Sequence, residues 1–236
     1  MNLSGGLIWH WRAWRSQALW RPTYEQITSW LQAVQPRSSE LLLIGASAGW
    51  MMPSAWLQGF RKVTVWDIDP LAAPLFRWRH AKALKASGTQ LVCHTADAIA
   101  DLGPLINSQP QACIFFDNVL GQYRFHCKTV EEASQKIAQI RRALRGREWG
   151  SLHDAYSGPV ERSLSARNLP AMEKRTLAGD DATHADQAWL VKLGAKGEWL
   201  DHLTDAVFTK GTVVHHIAWP YQPRYCHWLQ AGWVHV

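Results

Sequence analysis

Gly45-Ala46-Ser47-Ala48-Gly49 follows an apolar run, Leu41 to Ile44, and two kinds of chemistry fit its spacing. Read as G-x-S-x-G, it makes Ser47 the nucleophile of a hydrolase, with Asp154 and His215 or His216 downstream as partners. Read as a loosened G-x-G-x-G, it makes Ser47 a small residue where the backbone lies close to a ligand beside a helix N-terminus. A nucleophile elbow sits inside its sheet, after several strands and a loop that supplies an oxyanion donor. Here only about forty residues precede Gly45, they read as helix, and they hold no HGGG-like stretch. The ligand loop makes a further demand, an acid at the end of the second strand to take ribose hydroxyls. Asp67 meets it, 22 residues after Gly45 and directly after Val63-Thr64-Val65-Trp66.

The elements that must hold these residues follow from the apolar pattern. Strands are expected at Glu40–Ile44, Lys62–Trp66, Gln90–His94 and Ala112–Phe116, with a fifth starting at Gly150–His153. Helices are expected at Met52–Gln58, Leu71–Ala86, Ile99–Ile106 and Val130–Leu144. Strands apolar throughout and separated by helices imply a parallel sheet covered on both faces. Residues 157–185 are polar and irregular and read as an insertion; Asp186–Phe208 reads as broken helix. Thr212–Trp219 and Arg224–Val236 read as two strands of an antiparallel edge hairpin joined by Pro220-Tyr221-Gln222-Pro223. The expected fold is α/β: a Rossmann-like, mostly parallel sheet with helices on both faces and an antiparallel C-terminal hairpin. Residues 1–39 form a helical cap and 40–236 the α/β domain. Thr23 is expected to N-cap a helix reaching about Gln35, and Leu7, Trp11, Trp14 and Ala18 share a helical face that can turn to a core.

The order of these motifs resembles the class I S-adenosylmethionine-dependent methyltransferases over about residues 40–156. The resemblance implies a cofactor loop at Gly45, Ala46, Ser47 and Gly49, with Asp67 on the ribose and Ile68 against the adenine. It places Asp97 at the adenine amino group with Ala98 beside it. Asp117 and Asn118 then stand near the methyl group and the acceptor, Asp117 also bordering the cofactor. Two positions depart from the pattern. Leu43 stands where an acid helps fix the cofactor's amino-acid end, and Ser47 replaces the middle glycine. A protein that keeps the fold as a binding or regulatory module without catalysis is the alternative they raise. Dinucleotide binding would need glycines at 45, 47 and 50, where Ser47 and the bulky Trp50 stand.

Methyl transfer is an in-line displacement on an activated sulfonium, so proximity and alignment matter more than a strong catalytic motif. Asp117, Asn118 and His153 are the candidate catalytic residues. His153 and Asp154 cannot both face a pocket from one regular strand. Glu198, Asp201, His202 and Asp205 in EWLDHLTD read mainly as a solvated helix face, and no spacing specifies a metal site.

Composition sets the outer bounds. Of 236 residues, 47% are apolar and 19% charged, which suits one globular domain, and no apolar run approaches the roughly 18 residues of a membrane span. No cleavable leader is evident and no C-x-x-C links the four cysteines, so a cytoplasmic, reduced protein is expected. The net charge of +6 permits a nucleic-acid partner, but DNVL is not the N-P-P-Y type motif of amino-directed nucleic-acid methyltransferases. A small-molecule acceptor is the expectation, and some of the fifteen tryptophans should line its pocket or an interface.

Overall fold

The computed structural model describes residues 6–177 and 182–236. Helices α1 (Gly6–Arg15) and α2 (Gln17–Ala33) come first. An alternation follows: β1 (Glu40–Ile44), α3 (Ser54–Leu57), β2 (Lys62–Asp67), α4 (Ala72–Ala86), β3 (Gln90–Thr95), α5 (Leu102–Ser108) and β4 (Cys113–Asp117). It continues through α6 (Val119–Gln122) and α7 (Val130–Ala143) to β5 (Trp149–Pro159). The remainder is β6 (Glu173–Thr176), α8 (Ala182–Leu193), β7 (Leu200–Asp201), β8 (Val213–Gln222) and β9 (Tyr225–Val234).

Among the described residues the nine strands form one sheet in the order β3-β2-β1-β4-β5-β9-β8-β6, with β7 paired to β5. The first five strands pair in parallel and the later ones antiparallel. The 3-2-1-4-5 core is the Rossmann-like arrangement, in which ligands bind at the carboxyl ends of the strands. Alternate side chains of β1 and β4 feed two separate cores, which is why both strands are apolar throughout. Leu41, Leu43, Cys113 and Phe115 pack with Ile27, Trp30 and Leu31 of α2 and with Trp56 and Phe76. Leu42, Ile44, Ile114 and Phe116 pack on the other face with Leu105 and Ile106 of α5 and Ile137 and Ile140 of α7. A third cluster, Ala155, Val160, Trp189 and Trp228, lies under α8.

Several expectations change. α2 begins before Thr23 and carries Pro22 inside it. Thr23 is no cap; its hydroxyl donates to the Ala218 carbonyl at 2.7 Å and ties α2 to β8. The outward face of α1 is the apolar one. Leu7, Trp11 and Trp14 are exposed, while His10 and Ala13 are buried, because His10 is bound to groups beside the glycine loop. β5 runs on to Pro159, since β9 pairs with nearly its whole length. Glu173–Thr176, inside the expected irregular insertion, pairs with β8 as the sheet edge. Gly179-Asp180-Asp181 lies outside the described residues. EWLDHLTD is not helical: Leu200–Asp201 bridges to β5 and Leu203 takes a left-handed φ of 57°. Among the described residues no helix is long and apolar enough to cross a membrane.

Candidate functional site

Parallel pairing brings the first turns of the sheet together. Leu43 is opposite Val65 and Phe115, so Gly45, Asp67 and Asp117, two residues further on, end side by side. Gly45 has φ 74°, and a Cβ there would lie 2.6 Å from the Val119 Cβ, so only glycine lets the loop pass α6. Ser47 also adopts a left-handed φ, 51°, which costs a non-glycine residue roughly 1 kcal/mol or more. The loop is held from below by Asp67. One carboxylate oxygen accepts from the Ser47 amide at 2.7 Å and the other from the Asp69 amide at 2.8 Å. Each oxygen keeps a further lone pair. Burial raises the Asp67 pKa more than the two amide donors lower it.

Asp117 completes this rim. Burial first, then the neighbouring charge of Asp67, push its pKa up to about 8. Its carboxyl makes no hydrogen bond among the described residues. Ile68 is exposed beside Asp67 and presents an apolar surface to solvent. Ala46 and Ala98 are buried, so only their backbones are available to a ligand. Asp97 is exposed and accepts from the Ile99 and Ala100 amides at 3.0 and 3.2 Å, which fixes the turn after β3.

Asn118 stands in the left-handed region, φ 56°, an uncommon state that recurs at functional sites. Its side chain clasps Asp154: Oδ1 accepts from the Asp154 amide at 2.9 Å and Nδ2 donates to Asp154 Oδ2 at 3.0 Å. Gln122 Nε2 donates to the same oxygen at 3.3 Å. The other oxygen, Oδ1, lies 2.8 Å from His227 Nδ1 on β9. Burial would raise the Asp154 carboxyl, but His227, His202 and Asn118 together hold it down at about 2. Asp154 therefore takes the place expected of His153. Strand alternation turns His153 to the opposite face, fully buried against Phe208 with Nδ1 2.8 Å from the Ser151 hydroxyl. Burial pushes its pKa down to about 4 and leaves it outside the rim.

The hydrolase triad is not assembled. Asp154 pairs with His227, whereas His216 is buried between Trp189 and Trp228 and His215 packs against Trp30. Sequence reading missed His227 and Gln122. Neither carries a local signal, because His227 meets Asp154 only through β5–β9 pairing and Gln122 only through the fold-back of α6.

The first helix lies against the glycine loop. Trp9 Nε1 donates to Ser47 Oγ at 2.9 Å, and the Gly6 amide donates to Asp69 Oδ2 at 2.6 Å. His10 Nε2 is 3.0 Å from the same oxygen, and Trp50 Nε1 donates to His10 Nδ1 at 3.1 Å. Since Nδ1 accepts from the indole, Nε2 carries the proton toward Asp69. Burial acts upward on the Asp69 carboxyl, but the Gly6 and Leu71 amides and His10 leave it below the ordinary value. Behind this contact Trp9, Trp20, Trp219 and Tyr221 form a packed aromatic cluster.

Fold and rim define a Rossmann-like α/β protein whose candidate ligand site lies at the carboxyl ends of β1, β2 and β4. No protein-family model matches the chain, and no curated protein matches it. Among solved structures it is similar to an S-adenosylmethionine-dependent methyltransferase from Thiobacillus denitrificans in complex with S-adenosyl-L-homocysteine (TM-score 0.49, 11% identity, 98% of this chain and 100% of that one). It is also similar to the N-methyltransferase NodS from Bradyrhizobium japonicum (TM-score 0.48, 14% identity, 93% and 90%). A third, an O-methyltransferase family protein from Burkholderia thailandensis, gives a TM-score of 0.47 at 14% identity; the match covers 94% of this chain but 58% of that one.

Proposed function

We propose that the protein binds S-adenosylmethionine on the rim formed by Gly45–Gly49, Asp67 and Asp117 and transfers its methyl group to a small-molecule acceptor. The observation that carries this reading is the side-by-side placement of the left-handed glycine loop, Asp67 and a buried carboxyl, Asp117, that has no hydrogen-bond partner among the described residues. The donor set fits the cofactor. The free lone pairs of Asp67 suit ribose hydroxyls, and exposed Ile68 offers a flat apolar contact for adenine. Leu43 lies in the core and leaves the usual carboxylate for the amino-acid end missing. Asp117, on the same face of the adjacent strand, supplies one in its place.

When bound, the cofactor supplies a methyl group on a sulfonium already activated for displacement. The protein's own part is positional. Asp67 fixes the loop through the Ser47 amide while presenting its remaining lone pairs to the ligand. Asp117 gives up a proton and becomes a counter-charge for a ligand ammonium. Asn118 is occupied by Asp154 and shapes the acceptor side of the rim instead of touching the reacting atoms.

Calorimetric titration with S-adenosylmethionine and S-adenosylhomocysteine tests the reading, alongside Asp67→Ala and Ile68→Asp. Asp67→Ala removes both a ligand contact and a loop anchor. Ile68 is exposed, so its substitution leaves the fold intact and should weaken binding about tenfold through the lost apolar contact. Absence of heat for either ligand with folded protein would sink the proposal. Binding without turnover of any acceptor would favour the non-catalytic alternative.

A further inference from the structure

We propose that Asp154, His202 and His227 bind one divalent ion of the zinc or ferrous class. The three residues come from β5, from the turn after β7 and from β9, and each offers one ligand atom within 4.8 Å of the others. Ligand atoms of a tetrahedral ion stand roughly 3.4 Å apart when metal–ligand distances are about 2.1 Å. Asp154 Oδ1 and His227 Nδ1, 2.8 Å apart as a hydrogen bond, therefore open by about 0.6 Å toward the ~3.4 Å spacing as the ion replaces the proton between them. Two imidazoles with one carboxylate form a borderline donor set that suits zinc or iron and not magnesium or calcium.

Supporting hydrogen bonds orient Asp154 and His202, as in built metal sites, and aromatic rings pack around His227. Asp154 Oδ2 is held by Asn118 and Gln122, which aims Oδ1 at His227. His202 Nδ1 is 2.9 Å from the Gly121 carbonyl, which can only accept, so Nδ1 carries the proton. Nε2 keeps its lone pair and now faces the Ser157 hydroxyl at 2.9 Å. The segment carrying His202 is pinned to β5: its amide donates to the Ala155 carbonyl at 2.9 Å, and the Thr204 hydroxyl donates to the Asp154 carbonyl at 3.1 Å. The rings of Trp219, Tyr221 and Tyr225 surround His227, and Phe125 meets His202 edge-on. Asp154 and His202 are buried while His227 is partly open, which gives an ion one side of approach. A fully buried carboxylate also gains from a nearby dication.

Three protein ligands leave a position for an oxygen of water or of a bound molecule. Asn118 joins this cluster directly to the rim that ends in Asp117. The metal site does not depend on cofactor binding.

The test uses the full chain, stripped with chelator, dialysed and titrated with Co2+ under visible absorption, then with Zn2+ as competitor. One Co2+ per chain with the intense bands of a low-coordinate nitrogen–oxygen site is expected, displaced by Zn2+ and untouched by excess Mg2+. His202→Ala and His227→Ala should each abolish the bands, and Asn118→Ala should weaken binding about 10–100-fold. Circular dichroism checks folding, and His202→Gln or His227→Gln replaces the corresponding alanine variant if it unfolds. A spectrum that stays that of the hydrated ion would overturn the proposal and leave a hydrogen-bonded core cluster. Displacement by Mg2+, or binding indifferent to the folded histidine variants, would overturn it as well.

Discussion

The indole N–H of Trp9 donates to the hydroxyl of Ser47 at 2.9 Å, joining the first helix to the middle of the glycine loop. Ser47 holds a backbone state that favours glycine, φ 51°, and its side chain offsets that strain through the hydroxyl. Ser47→Ala keeps the strained φ and leaves the indole without its acceptor, a loss of about 1 kcal/mol. Ser47→Gly loses the same bond but relieves about 1 kcal/mol of left-handed strain. The glycine variant should therefore match the wild type in urea denaturation, and the alanine variant should fall about 1 kcal/mol below both. Equal stability of the two variants would show that the loop does not need this conformation.

Asp117 gives the rim a pH signature. Its pKa is about 8 in the folded protein because of burial and the Asp67 charge, against 3.8 for an ordinary carboxyl. A raised carboxyl contributes stability that is fully present below about 3.8 and is lost as pH rises through about 8. Asp117→Asn, which mimics the protonated acid, should flatten this alkaline limb and be more stable than wild type at pH 9 by on the order of a few kcal/mol. Ligand binding should move oppositely. If a ligand ammonium draws the proton off Asp117, wild-type affinity for S-adenosylhomocysteine rises between pH 6 and 8, while Asp117→Asn binds weakly throughout. Thermal melts and calorimetry across that range separate the two effects. A pH-independent affinity would remove Asp117 from the ligand site.

Gly49 and His80 test whether the loop is fixed from behind. A Cβ on Gly49 would lie 2.4 Å from His80 Nε2 and 2.8 Å from Phe76, at a φ of 65°. Gly49→Ala combines overpacking with left-handed strain and should cost about 2–4 kcal/mol. His80→Ala removes the nearer collision but leaves the contact with Phe76 and the strain. The double variant should thus recover part of the loss, leaving a coupling well above measurement error. Strict additivity in urea melts would mean that the loop moves away from His80 at little cost.

What could be read beforehand follows from the range of the interactions. The five parallel strands and the Gly45–Asp67 pairing are written in local apolar runs and in spacing along the chain. Asp67, Asp117 and Gly45 come together because adjacent parallel strands end in register, which a sequence pattern carries. The face of α1 was misjudged because His10 and Ala13, not the larger Leu7 and Trp11, are buried, a choice made by Asp69 and Trp50 some forty to sixty residues away. His153 and Asp154 were adjacent candidates, and only the sheet's two faces decide between them. The contacts of Asp154 with Asn118, Gln122 and His227 lie 32 to 73 residues apart in sequence. No local pattern encodes them.

His216 provides the last test, on acid stability. It is buried between Trp189 and Trp228, and neither ring nitrogen has a hydrogen-bond partner among the described residues. Burial first, then Arg175 and His215, push its pKa from 6.5 down to about 4, with Glu173 opposing. A depressed histidine contributes stability that is present above about 6.5 and lost as pH falls through about 4. Phenylalanine keeps the aromatic packing and removes two buried polar atoms whose desolvation costs about 1–3 kcal/mol. His216→Phe should therefore be at least as stable as wild type at pH 7.5 and lose less between pH 6.5 and 4. Urea melts at pH 7.5 and 4.5 measure both quantities. An unchanged acid limb would mean that His216 is charged or solvated in the folded protein, because a buried neutral imidazole cannot be replaced by phenylalanine without removing its share of the proton uptake.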